Sequence, residues 1–429
     1  MLAGCTLTIE CLILMLLTSS GVQGRPVPAM LVLIGLFSLA YFFDLGLSRR
    51  LRPVAFPLAL GYLLRLGLLL FDLYGREIYA LPNSGADSEM FFQQGMQCAL
   101  GTFSDPSAFI SVLGILLSLL GVSRLFVQFL LMLCSVAALH CAAEIFREAG
   151  IAPRTARAIL YLLCLLPNFA ILSSVLLRES IVTMLLAFSV LCLVRWQLRG
   201  REGWFWAACL LSCCAAMFHS GSIAVAAGCI LVRLFYDRGG ERLRFSWRNL
   251  LPAFVLLVAF LYLYNNYSDV FFGKMSEVDS LEDIANTGGL GGSSYTEYVG
   301  DSDTLGSLLL YTPVRIIFFL FSPLPWQWRG PSDVIAFCFS SVFYAWALFS
   351  ALRYLAGARR EHRELVAVLL IVAFAVLFVF SWGVSNVGTA VRHRDKMVVL
   401  YAVLLGLTRR RRETHALPEI HQTLWRELS

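Results

Sequence analysis

The sequence predicts an all-α polytopic membrane protein, and three observations carry that class. Of 429 residues, 59% are hydrophobic and only 14% are charged, where a soluble domain carries about 25%. The mean hydropathy is +0.74. Apolar runs close to the ~20 helical residues needed to cross a bilayer core recur from one end to the other. This composition excludes a soluble enzyme, a nucleic-acid-binding protein and a disordered scaffold. A single-anchor protein is excluded as well, because no long polar stretch remains to form a separate domain. Residues 1–429 therefore read as one integral-membrane domain.

The runs fall at about 5–22, 27–47, 53–73, 106–121, 124–145, 158–176, 180–196, 203–218, 221–236, 249–265, 307–322, 334–354, 365–384 and 396–408. Met1–Gln23 has no basic leader and carries Glu10, so it reads as a first span and not as a cleaved signal. The net charge of +6 is almost entirely arginine, Lys274 and Lys396 being the only lysines. Basic loops mark the cytoplasmic side. They are Arg49–Arg52, Arg147–Arg157, Arg195–Arg201, Arg238–Arg248, Arg353–Arg363 and the tail beginning at Arg409.

These marks impose parity. Three runs lie between Arg52 and Arg147, so one of them does not cross; 106–121, the shortest, follows Pro106 and is the choice. The same count between Arg248 and Arg353 removes 307–322, which carries Pro313 and Arg315. Non-spanning or broken segments at membrane depth are tolerated where they line a protein cavity. The expectation is about 12 transmembrane helices plus two non-spanning outer-face helices. Both termini and the tail 409–429 are expected in the cytoplasm. The external loops are 74–105 and 266–306, the latter rich in Gly, Ser and Asp.

Ionisable groups that pay to sit near the membrane point to function. Several lie on the predicted outer face although they come from separate parts of the chain. Asp87 and Glu89 are in the first external loop. Arg178 and Glu179 occupy a tight turn, and His219 tips the hairpin Phe218–Gly221. Arg315 lies in the outer run, and Trp326, Trp328 and Arg329 follow it. Arg392, His393, Arg394, Asp395 and Lys396 precede the last run. Each has an ordinary reading: a local ion pair, a polar hairpin tip, an aromatic belt or a snorkelling anchor. Arg65 and Asp72, seven apart on one helical face, read as structural pairs.

Several arginines on one membrane-level face suit a phosphate or pyrophosphate, which guanidinium forks bind bidentately while staying charged. Fixed cations also stabilise a departing phosphate. Asp87, Glu89 and His219 compete as the base for an acceptor hydroxyl. Trp326 and Trp328 offer flat faces to sugar rings. The set reads as glycosyl transfer from a polyprenyl-linked donor. The partners are that lipid-linked substrate and the bilayer, with no nucleic acid; the oligomeric state stays open. The 12 cysteines follow no ligand spacing, so neither a metal site nor a disulfide framework is expected. No cofactor is called for, and a divalent ion is left open.

Gly85-Ala86-Asp87-Ser88-Glu89, the Pro106-led run ending at Gly121, Leu166-Pro167-Asn168 and Leu177-Arg178-Glu179-Ser180 resemble the GT-C class of integral-membrane glycosyltransferases, in particular family 39 mannosyltransferase-like members. Gly388–Arg394, Phe218–Gly221 and Pro323–Trp326 are similar to segments of Wzy- and EpsG-type polysaccharide polymerases. The resemblance covers roughly residues 80–230 and 310–400. It implies a GT-C-like fold, Asp87 as base, Glu179 as a second acid at the donor or acceptor, and external arginines holding a lipid pyrophosphate. It also implies assembly of cell-surface polysaccharide (O-antigen or exopolysaccharide) in the inner (plasma) membrane with undecaprenyl-phosphate-type donors. The chain lacks a paired Asp-Asp in the first loop and a large external domain after the last span. The alternative reading is a lipid-linked sugar flippase or a small-solute transporter.

Overall fold

The computed structural model describes residues 1–18, 24–237, 242–243, 294–299, 305–357 and 362–409, with five further single positions between 251 and 262. The run 249–265, most of the loop 266–306, several of the Arg238–Arg248 and Arg353–Arg363 marks and the tail beyond Arg409 lie largely or wholly outside the described residues.

The regular structure among the described residues is helical, apart from a two-residue antiparallel pairing of Tyr236–Asp237 with Arg242–Leu243 and isolated bridges. The helices are α1 (Leu2–Leu17), α2 (Val27–Leu47), α3 (Ala55–Tyr74), α4 (Ala86–Ala99), α5 (Ala108–Leu120), α6 (Arg124–Glu148), α7 (Pro153–Leu165) and α8 (Pro167–Leu172). After these come α9 (Glu179–Arg199), α10 (Glu202–Phe218), α11 (Ile223–Phe235), α12 (Leu305–Phe321) and α13 (Pro331–Ala356). The last are α14 (Arg363–Trp382), α15 (Val387–Arg394) and α16 (Val398–Thr408). Six of them are long and apolar enough to cross a membrane: α2, α3 with its preceding turn, α6, α9, α13 and α14. The architecture is that of a multi-pass helical membrane protein.

Burial separates centre from rim. The apolar windows of α6 and α9 are 72% and 67% buried, against 33% for α2 and 39% for α13. A helix apolar all round needs cover all round, from protein or from lipid. In α2 and α13 the outward residues Leu39, Phe43, Phe349 and Leu352 are exposed, as a lipid-facing surface requires. The 11-residue α16 is the opposite case: every residue from Val398 to Leu407 is buried, because α6, α7, α9, α13, α14 and the turn before it surround it. Close approach comes from small residues: a Cβ on Gly228 of α11 would meet Val372 Cα of α14 at 2.8 Å.

Four local findings refine the sequence reading. The run 158–176 is not one continuous helix. Pro167 has no N–H and pushes the residue before it out of helical geometry, so Leu166 turns to ψ 112° and separates α7 from α8. The run 307–322 continues through Pro313 as one helix; in a membrane bundle, neighbouring groups can satisfy the carbonyl that a proline frees. The loop 74–105 holds α4, with Asp87 and Glu89 in its first turn, where carboxylates suit the helix dipole. The approach to the last run is itself helical: Asn386 Oδ1 accepts from Gly388 N at 2.9 Å and starts α15.

Candidate functional site

The fold brings side chains from four distant segments into one cluster. At its centre Glu179, the first residue of α9, accepts from Arg392 Nε of α15 at 2.6 Å. Lys396 Nζ, in the turn that leads to α16, lies 3.9 Å from the same carboxylate oxygen. Arg392 Nη1 extends to Asp87 Oδ2 of α4 at 2.8 Å. Arg178 interacts electrostatically with Glu179, Arg392 and Asp87. His219, capping α10, meets His393 of α15, Nε2 to Nε2 at 3.1 Å. The rings are nearly perpendicular with centroids 4.3 Å apart, and both pack against Phe380 of α14. Gly221 makes room for that ring, since a Cβ there would meet Phe380 at 2.7 Å.

The cluster is graded in exposure. The side chain of Asp87 is 54% exposed, that of Arg392 16%, that of Glu179 4% and that of Lys396 0%. Behind Arg392 a small, water-sized cavity is lined by Phe169, Leu172, Ser173, Glu179, Ser180, Thr183, Asp395 and Lys396. Several buried polar atoms here have no hydrogen-bond partner among the described residues: Arg178 Nε, Glu179 Oε2, Lys396 Nζ and the Nδ1 atoms of His219 and His393. Buried polar atoms are nearly always satisfied, and five unpartnered ones gather here. Arg178, Arg392 and Lys396 are met by the carboxylates Asp87 and Glu179, and Asp395 lines the same cavity.

The helical repeat explains which predicted residues join. Arg392, His393 and Arg394 are successive and so project about 100° apart around α15. Arg392 and His393 reach the cluster, whereas Arg394 turns into the core. There Arg394 Nη1 donates to Leu320 O at 2.6 Å, at the end of α12, and its Nε donates to Ser340 Oγ at 3.1 Å, within the wide turn at Ala336–Ser341 of α13. Asp395 is tied separately to Tyr344 Oη at 2.9 Å. Asp87 and Glu89, two positions apart, likewise part company. Glu89 pairs with Arg76 and with Arg124 of α6. The Arg124 and Arg76 guanidiniums hold its carboxyl below the usual range, which makes it a poor proton acceptor.

The described partners of the remaining candidates lie outside the cluster. Arg315 is buried beside Ser385 and Tyr295. Trp328 Nε1 donates to Pro323 O at 3.1 Å, Trp326 is exposed, and Arg329 pairs with Asp333. Arg65 and Asp72 do not pair with each other. Arg65 donates to Ser173 Oγ and Gly61 O, each at 3.1 Å. Asp72 accepts from Gln128 at 2.8 Å, and the same Gln128 nitrogen donates to Ser174 O at 2.6 Å, in the turn that carries Arg178. Sequence reasoning missed this support from Gln128, a lone polar residue in an apolar run. It also named Lys396 only as part of a basic stretch, although Lys396 is the most buried cation of the site.

The chemistry of the cluster favours an anion. Two imidazole nitrogens 3.1 Å apart offer two corners of a metal site, but no group of three His, Cys, Asp or Glu among the described residues is arranged to hold an ion. Arg178, Arg392 and Lys396 all bear electrostatically on both imidazoles and repel a cation there. Burial first, and then those cations, push both imidazoles well below their ordinary value, so both are neutral at pH 7. No family model, curated protein or solved structure matches the chain.

Proposed function

We propose that the cluster binds the phosphate or pyrophosphate of a polyprenyl-linked sugar, and that the chain transfers the sugar to a glycan acceptor on the outer face, building cell-surface polysaccharide in the manner of a polymerase. One observation carries the reading: Arg392 and Lys396 meet at Glu179 beside a water-sized cavity, with Arg178 bearing on the same carboxylate and several polar atoms there unsatisfied among the described residues. Guanidinium forks bind phosphate oxygens in pairs, and fixed cations favour the departure of a phosphate leaving group. The half-exposed Asp87 is the natural gate. A phosphate that displaces its carboxylate gains the Arg392 fork while the buried Glu179 keeps Arg392 in place.

About 12 crossings, a GT-C-like arrangement, cytoplasmic termini and an inner-membrane location complete the proposal. The short α5 and the run 307–322 are the non-spanning parts of this reading, and the break at Leu166–Pro167 would border the lipid's entry. A flippase or transporter is the second reading, favoured by the break at Leu166–Pro167 and the unwound turn behind the cavity. The deciding experiment supplies purified protein with a polyprenyl-pyrophosphate-linked oligosaccharide and follows both glycan length and released lipid pyrophosphate. Transfer by the wild type, lost in Arg178→Ala and Arg392→Ala that retain their fold, supports the enzyme. Movement of intact donor between leaflets without product supports the transporter.

A further inference from the structure

The contact between His219 and His393 has a consequence for how the site takes its ligand. Two imidazoles touching through Nε2 at 3.1 Å need one N–H donor and one lone pair. The pair as built is therefore either neutral, with the two rings in opposite tautomers, or holds one added proton as an imidazolium–imidazole bridge. Two added protons would make both nitrogens donors and break the contact. The geometry sets the capacity at one.

The surroundings decide when that proton is present. Arg392, on the same helix as His393, Arg178 before α9 and Lys396 beyond α15 are the cations that bear on both rings. Glu179 sits among them, tied to Arg392 and Lys396. From α14 comes only the apolar ring of Phe380, which also contacts the Lys396 ammonium at 6.0 Å. With the site empty, three nearby cations and burial oppose a fourth positive charge. An anion lodged against Arg178, Arg392 and Lys396 cancels that opposition. The buried, unpartnered Nδ1 atoms of both rings give a protonated pair further donors toward the ligand.

We infer that the His219–His393 pair is the proton acceptor of this site, and that an anionic ligand is bound together with one proton held between the two imidazoles. The inference rests on the anion reading given above and adds that His393 acts with His219. The proton comes from solvent on binding and returns to it on release; no bond other than N–H forms or breaks.

The test is the equilibrium affinity of the full-length protein, in lipid nanodiscs, for sulfate, a dianion that keeps its charge across the range used. Linkage of one proton makes affinity strengthen by about tenfold per pH unit as pH falls through the window between the bound and free values of the pair. The wild type is expected to approach this slope between about pH 8 and about pH 5. His219→Gln and His393→Gln, which keep a polar side chain but carry no proton, are expected to flatten it, and either variant alone suffices if the other does not fold. A flat wild-type profile with measurable binding overturns the inference and leaves the anion reading standing. A slope that survives both histidine variants but disappears in Lys396→Met moves the proton to Lys396 and also overturns it. Absence of sulfate binding at every pH overturns the anion reading and this inference together.

Discussion

Glu179 and Arg392 are 213 positions apart in the chain and are joined by a 2.6 Å charged hydrogen bond between helices that start and end at the same polar pocket. The bond is nearly buried on the Glu179 side, whose side chain is 4% exposed. It fixes the start of α9 against α15 and sets the spacing of Arg178, His219, His393 and Lys396.

Removing Glu179 takes from Lys396 its nearest carboxylate and leaves Arg392 with the half-exposed Asp87. Breaking one partner of a buried pair costs about 3–5 kcal/mol. Glu179→Ala is therefore expected to lower the thermal midpoint of the purified protein markedly. The double variant Glu179→Ala/Arg392→Ala is expected to be less destabilised than the sum of the singles. Strict additivity in that cycle contradicts the coupling.

Asp87 pairs with the same arginine but is half-exposed, and exposed pairs contribute about 0–1 kcal/mol. Asp87→Asn is expected to leave thermal stability almost unchanged. It is also expected to strengthen sulfate or pyrophosphate binding several-fold, because a neutral amide competes less for the Arg392 fork. Weaker anion binding by a stable Asp87→Asn protein counts against the gate.

Arg394 is a support. Its bonds to Leu320 O and Ser340 Oγ hold the end of α12 against α13, and hydrogen bonds to charged groups are worth about 1.5–3 kcal/mol each. Arg394→Ala is expected to destabilise the protein by at least that amount while the surviving folded fraction keeps its anion affinity. An Arg394→Ala protein of normal stability with abolished binding places Arg394 at the ligand instead.

The pairing of Glu89 with Arg124 and Arg76 makes a pH-dependent contribution. Its carboxyl is held below its ordinary 4.5 by those guanidiniums. The contribution is present in full above that value and is lost as pH falls through the lower folded value. Chemical denaturation from pH 6 down to about pH 3 is expected to show Glu89→Gln converging on the wild type at the acid end. The effect is small, because the side chain is 38% exposed. A constant difference between the two proteins across the range contradicts it.

The membrane class was legible because composition and run length register burial directly. The grouping of Asp87, Arg178, Glu179, His219, Arg392 and His393 was legible because charges near apolar runs are costly and few. Other features depend on context. Counting apolar residues cannot see that Pro167 splits a run, nor that Val398–Leu407 lies inside protein and not against lipid. Arg394 looked equal to Arg392 because adjacency in sequence hides a 100° rotation.

The most direct measurement is equilibrium binding of undecaprenyl pyrophosphate to the full-length protein in nanodiscs, compared with Arg178→Gln and Arg392→Gln at matched folding. The account predicts saturable binding by the wild type, weakened at least tenfold, or about 1.4 kcal/mol, in each variant. Wild-type affinity retained in both variants, or no saturable binding by the wild type, contradicts it.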